Sequence, residues 1–163
     1  MKSVDIISNK FFHLKALEEQ CIKWKKDNHK IVFTNGCFDL VHRGHIEVLA
    51  RISDLGDKLI IGLNSDISIK RLKGETRPII DEYSRKLLLA GLFFVDAIII
   101  FNEETPYELI NFLKPDILAK GGDYKIEEIV GFDIIKKHGG QTITIPLTPD
   151  FSSSNIIDKI KNS

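Results

Sequence analysis

Five short apolar runs constrain this chain most: Lys30–Asn35, Lys58–Leu63, Ala97–Phe101, Asp116–Lys120 and Gln141–Leu147. A polar turn and then apolar residues at helical spacing follow each of the first four. Parallel strands need a crossover, and a helix is the usual one, so this alternation argues a parallel sheet covered on both faces. The runs are apolar without clean alternation, as strands buried on both sides must be. The expectation is an α/β, doubly wound five-stranded parallel sheet in one domain, residues 1–163. Residues 1–28 form an N-terminal helical extension and 29–163 the core.

The helices read as follows. The first spans Asn9–Lys26, with Ser8 as N-cap. The second carries Ile46, Leu49, Ile52 and Leu55 on one face and ends near Gly56. A short one follows Asn64-Ser65-Asp66 and ends near Leu72, and one capped by Asp81 runs through Phe93. Thr105-Pro106-Tyr107-Glu108 combines capping-box spacing with proline at the first helical position. That helix stops before Pro115. Another ends near Gly139-Gly140, and the last spans Asn155–Lys161. The stretch Leu87–Phe94 is apolar all round, which assigns it to the core rather than to an interface.

Composition excludes several classes. The 23 basic and 23 acidic side chains cancel, so no basic excess marks a nucleic-acid binder. No apolar run approaches the ~18 residues needed to span a bilayer. The N-terminus lacks the apolar stretch of a secretory signal. Cys21 and Cys37 have neither a disulfide framework nor a metal spacing and read as reduced thiols of a cytoplasmic protein.

The strands' carboxyl ends share one edge of such a sheet, so Asn35, Asn64, Lys120 and the Pro146–Ser154 segment should converge there. The first strand feeds Thr34-Asn35-Gly36-Cys37-Phe38-Asp39-Leu40-Val41-His42-Arg43-Gly44-His45. Gly36 and Gly44 let backbone approach a ligand. His42 and His45 can donate ring N–H groups to phosphate oxygens beside the amides of a helix N-terminus. Such fixed donors meet the charge that develops in phosphoryl transfer, so no protein nucleophile is required. Lys73 and Arg77 flank Gly74 in a loop able to fold over a polyphosphate. Arg85 sits in the first turn of a helix, where a cation opposes the dipole; an anionic partner would explain it, and so would a nearby carboxylate. Ser152, Ser153 and Ser154 precede the last helix, a phosphate site in which one serine is expected only to cap. Asp39 or Asp123 could help hold a hydrated Mg²⁺.

The Asn35–His45 segment resembles the signature of the HxGH nucleotidyltransferases, the cytidylyltransferase-like family. Gly62-Leu63-Asn64-Ser65-Asp66, Arg71-Leu72-Lys73-Gly74, Arg77-Pro78-Ile79, Lys114-Pro115-Asp116, Lys120-Gly121-Gly122-Asp123-Tyr124 and Phe151-Ser152-Ser153-Ser154-Asn155-Ile156-Ile157 resemble one subgroup in order and spacing. That subgroup is the D-glycero-β-D-manno-heptose 1-phosphate adenylyltransferases, found alone or as the C-terminal domain of a bifunctional heptose kinase/adenylyltransferase. The resemblance implies a Rossmann-like fold of strand order 3-2-1-4-5 and Mg²⁺-dependent transfer of AMP from ATP to a sugar 1-phosphate. The products would be ADP-heptose, a precursor of lipopolysaccharide inner core or another heptose-containing glycan, and pyrophosphate.

Carried over by position, His42, His45 and Lys73 are the expected catalytic residues. Asn35, Gly36, Phe38, Gly44, Lys120, Gly121 and Ser152–Ser154 are expected at the nucleotide, and Asn64, Asp66, Arg77, Arg85 and Asp123 at the acceptor. A homodimer is expected. With one helix ahead of the first strand, the stand-alone form is expected, and a separate kinase would supply heptose 1-phosphate. Serines stand where the subgroup has threonines in the last motif, which keeps the hydroxyls. Arg43 fills a position often held by a small residue. The same motif also serves CTP-dependent enzymes acting on glycerol 3-phosphate or a similar alcohol phosphate. A non-catalytic nucleotide-binding module is the alternative of a different class.

Overall fold

A computed structural model describes residues 2–149 and 151–162. In chain order its elements are α1 Ser3–Ser8, α2 Leu14–Lys26, β1 Ile31–Gly36, α3 Arg43–Ser53, β2 Lys58–Asn64, α4 Asp66–Lys73 and α5 Glu82–Ala90. Then come β3 Ala97–Phe101, α6 Tyr107–Leu113, β4 Ile117–Gly121, a 3-10 turn at Ile126–Glu128, α7 Phe132–Lys137, β5 Gln141–Ile145 and α8 Ser153–Lys161. The strands form one parallel sheet ordered β3-β2-β1-β4-β5. This is the expected Rossmann-like arrangement. The order reverses between β1 and β4, which opens a crevice beyond their carboxyl ends.

The apolar strands split cleanly between two cores. Ile31 and Phe33 of β1 and Leu118 of β4 face one side, with Leu17, Cys21 and Trp24 of α2 and Leu109, Ile110 and Leu113 of α6. Val32, with Leu59, Ile61 and Leu63 of β2, faces the other, with Val48, Leu49 and Ile52 of α3 and Leu89 of α5. Alternation by pleat is present, but both faces receive hydrocarbon, so it is invisible in the sequence. At Gly62 a Cβ would come 2.7 Å from the ring of Phe33, so glycine lets β2 pass beside that ring.

The expected helix Asn9–Lys26 begins only at Leu14, and a separate short helix, Ser3–Ser8, precedes it. Between them the Phe12 amide donates to the Ile98 carbonyl (3.0 Å) and the Ile98 amide to the Lys10 carbonyl (2.8 Å). This extended piece covers the outer edge of β3, an edge that would otherwise be open to another chain. His13, not Ser8, then caps α2 by accepting from the Ala16 amide. The helix begun by Asp81 stops at Ala90 rather than Phe93. Leu89 and Ala90 enter the core, but Leu88 and Phe93 are exposed, so only part of Leu87–Phe94 is core. Pro106 occupies the cap position of α6, so Thr105 caps nothing. The last helix starts at Ser153, with Ser152 as its cap.

Candidate active site

A cleft of about 580 Å³ opens at the carboxyl edge of the sheet, over the β1/β4 switch point. Asn35, Gly36, Phe38, His42, Gly44, His45, Asn64, Lys73, Lys120, Gly121 and Ser152–Ser154 all line it. Residues from the ends of β1, β2, β4 and β5 thus meet as the parallel sheet requires.

His42 is the N-cap residue of α3, yet its ring does not cap the helix. It stacks on His45 instead, with centroids 3.8 Å apart and planes at 25°. Phe38, held at φ +46, presents its ring edge-on to His45 at 5.3 Å. Gly44 permits the stack. A Cβ there would lie 3.1 Å from the His42 ring and 3.0 Å from Phe151 Cβ, so both neighbours would have to give by a few tenths of an ångström. Burial pushes both imidazoles down. For His45 the neighbouring His42 and Lys73 add to it, reaching about 4, against the opposing pull of the Leu40 carbonyl. No well-formed hydrogen bond satisfies Nδ1 of either ring. At neutral pH the free cleft therefore holds two uncharged rings with spare polar capacity, suited to a phosphate whose charge would draw protons to them.

Lys73 ends α4 and remains exposed at the cleft. Gly74 follows at φ +94, which turns the chain away without a side-chain clash. Lys120 is instead drawn inward: its Nζ donates to the backbone carbonyl (3.2 Å) and Oδ1 (3.1 Å) of Asn35, and burial lowers its pKa. It ties β4 to β1 where the sheet order reverses. Of the serines, Ser152 accepts from the Asn155 amide and caps α8, while Ser153 Oγ donates to the Leu40 carbonyl at 3.1 Å. Ser154 also lines the cleft.

Several expected ligand contacts are consumed by the fold. Arg85 is fully buried and donates to the carbonyls of Ile80, Cys37 and Asn64 and to Asp66 Oδ1. It braces the ends of β1 and β2 from beneath, which answers the puzzle of a cation in a first turn. Asp66 is spent on the same pair. Arg77 pairs with Asp39 at 2.6 Å, an ion pair rather than a well-aligned hydrogen bond. Asp39 Oδ1 also accepts from the amides of Ile79 and Ile80. Asp123 lies outside the cleft lining.

The metal assignments meet the same obstacle. Both Asp39 oxygens are committed and Asp123 is not among the residues that line the cleft, so neither fits a protein-held Mg²⁺. Among the described residues no cluster of three or more His, Cys, Asp or Glu could hold a metal ion. Sequence reading also missed Glu104, an exposed carboxylate lining the cleft just beyond β3. The shared-edge rule, applied to β3 as to the other strands, would have pointed to it.

A doubly wound sheet of this order, with groups able to meet phosphates gathered over its switch point, has the architecture of a nucleotide-binding domain. The chain belongs to the cytidylyltransferase-like family, which matches residues 33–159. It is 54% identical over 149 residues to the bifunctional protein HldE of Campylobacter jejuni, covering 91% of this chain and 32% of that protein. With the bifunctional protein HldE of Paramagnetospirillum magneticum the identity is 45% over 148 residues, 91% of this chain and 30% of that protein. The chain thus spans about a third of the length of these curated relatives. Its fold is similar to the crystal structure of the lipopolysaccharide core biosynthesis protein from Thermoplasma volcanium. There the TM-score is 0.60 and the identity 33%, over 74% of this chain and 97% of the other. No helix among the described residues is long and apolar enough to cross a membrane.

Proposed function

We propose that this domain transfers AMP from ATP to a sugar 1-phosphate, with D-glycero-β-D-manno-heptose 1-phosphate as acceptor. A phosphate oxygen of the acceptor forms a bond to the α-phosphorus. The bond from that phosphorus to the bridging oxygen breaks, and pyrophosphate leaves with the electron pair. The single observation that carries the reading is the stacked His42–His45 pair, poised neutral and short of partners between Lys73 and the serines of α8. The rings donate to the non-bridging oxygens as charge grows there, and Lys73 adds a mobile cation. The serines and the first turn of α8 receive the departing phosphates.

The choice of heptose rests on the resemblance of Arg71-Leu72-Lys73-Gly74 and Lys120-Gly121-Gly122-Asp123-Tyr124 to the heptose adenylyltransferases. It is supported by identity to the HldE proteins and by likeness to a lipopolysaccharide core biosynthesis protein. Mg²⁺ enters as the counter-ion of the nucleotide, held by phosphates and water rather than by a protein cage. The reaction belongs in the cytoplasm, where ATP and the sugar phosphate are found. The exposed Leu88 and Phe93 offer apolar surface for a homodimer.

The mechanism is tested by His42→Ala and His45→Ala. Each should lower turnover ~100-fold or more while the variant remains folded. Full activity in both, checked beside an unchanged circular dichroism spectrum, would rule the paired donors out.

A further inference from the structure

The helix that carries the serines has no buried residue of its own. Polar contacts from α3 instead reach the connection that leads into it, at Thr148 and Phe151. Glu47 Oε1 accepts from Arg43 Nε at 2.6 Å, and Oε2 accepts from Thr148 Oγ1 at 2.6 Å. An i,i+4 ion pair by itself would only support its own helix. Thr148 arrives from 101 residues further along the chain, so the cluster is a tertiary tie. The Arg43 guanidinium lies over the Phe151 ring at 5.3 Å, and that ring stacks against His42 with centroids 6.4 Å apart and planes at 27°. Both hydrogen bonds lower the pKa of Glu47, so its carboxylate stays ionised through the working range.

We propose that Arg43 and Glu47 are positioning residues that latch the β5–α8 connection across the first turn of α3. The latch holds the serines over the cleft and keeps the Phe151 ring against His42. The inference rests on the reading of the cleft as a nucleotide site. It gives Arg43, the residue between the two histidines, a role on the outer side of the helix from the chemistry. It also distinguishes Glu47, whose two oxygens serve both ends of the latch, from an ordinary surface carboxylate.

The test uses the full chain and the variants Glu47→Ala, Glu47→Gln, Thr148→Val and Arg43→Ala. Amide hydrogen exchange over 152–156 reads the seating of α8, and titration with ATP and with CTP reads the cleft. Glu47→Ala and Thr148→Val should each speed exchange and weaken affinity for whichever nucleotide binds about tenfold, the size of one charge-assisted hydrogen bond. Arg43→Ala should cost about threefold, as an exposed ion pair and cation–π contact would. Glu47→Gln should fall between, because the amide oxygen still accepts from Thr148. Turnover at saturating nucleotide should fall less than affinity does, since the histidines and serines themselves are retained. Unchanged exchange in Glu47→Ala overturns the latch, and faster exchange with unchanged affinity overturns its positioning role. If the wild-type chain binds neither nucleotide, the proposed function fails, and exchange alone then decides whether the latch exists.

Discussion

His45 carries the clearest electrostatic signature in the molecule. Its folded pKa of about 4 lies below the ordinary histidine value of 6.5, so between those values the unfolded chain binds more protons than the folded one. Stability should therefore decline as pH falls from about 6.5 toward 4. His42 acts in the same direction. Urea titrations across that range should show the loss, and His45→Ala should flatten it. The opposite dependence is expected of binding. A polyphosphate raises the pKa of both rings, so it binds with proton uptake and more tightly as pH falls from 7 toward 5. Calorimetry in buffers of different ionisation enthalpy measures that uptake directly. Proton release on binding would place the phosphates away from the histidines.

Arg85 shows how an element is held for function without touching a ligand. Its guanidinium joins the end of β1, through Cys37, to the end of β2, through Asn64, and to α4, through Asp66. Arg85→Ala strips four donated bonds from a buried site and should cost roughly 3–5 kcal/mol in urea-induced unfolding. In sequence an anionic ligand and a nearby carboxylate explained Arg85 equally well, because burial and partners are properties of the folded chain; the carboxylate is that of Asp66. The histidines, Lys120 and the serines were legible because strand-then-turn-then-helix patterns place them on one edge whatever the side-chain details. The β3-edge pairing of Lys10–Phe12 was not. A backbone ladder of two bonds leaves no periodic trace, and helix propensity on either side hid the break.

The whole chain depends on its first 28 residues, which lie before the crevice-forming strands. Leu17, Cys21 and Trp24 contribute to one of the two cores, and residues 10–12 cover the β3 edge. Removing residues 1–28 should therefore leave a chain that aggregates rather than one that keeps its activity. Leu17→Ala alone should cost roughly 2–5 kcal/mol by cavity formation. Soluble, fully active protein lacking residues 1–28 would show that the sheet closes without them. The most direct measurement on the intact chain is pyrophosphate release with Mg²⁺ in the buffer, crossing ATP and CTP against heptose 1-phosphate and glycerol 3-phosphate. Release with ATP and the heptose phosphate alone, with ADP-heptose as the second product, is the predicted result. Release with CTP and glycerol 3-phosphate would keep the fold and the chemistry of the histidines but contradict the assignment of donor and acceptor.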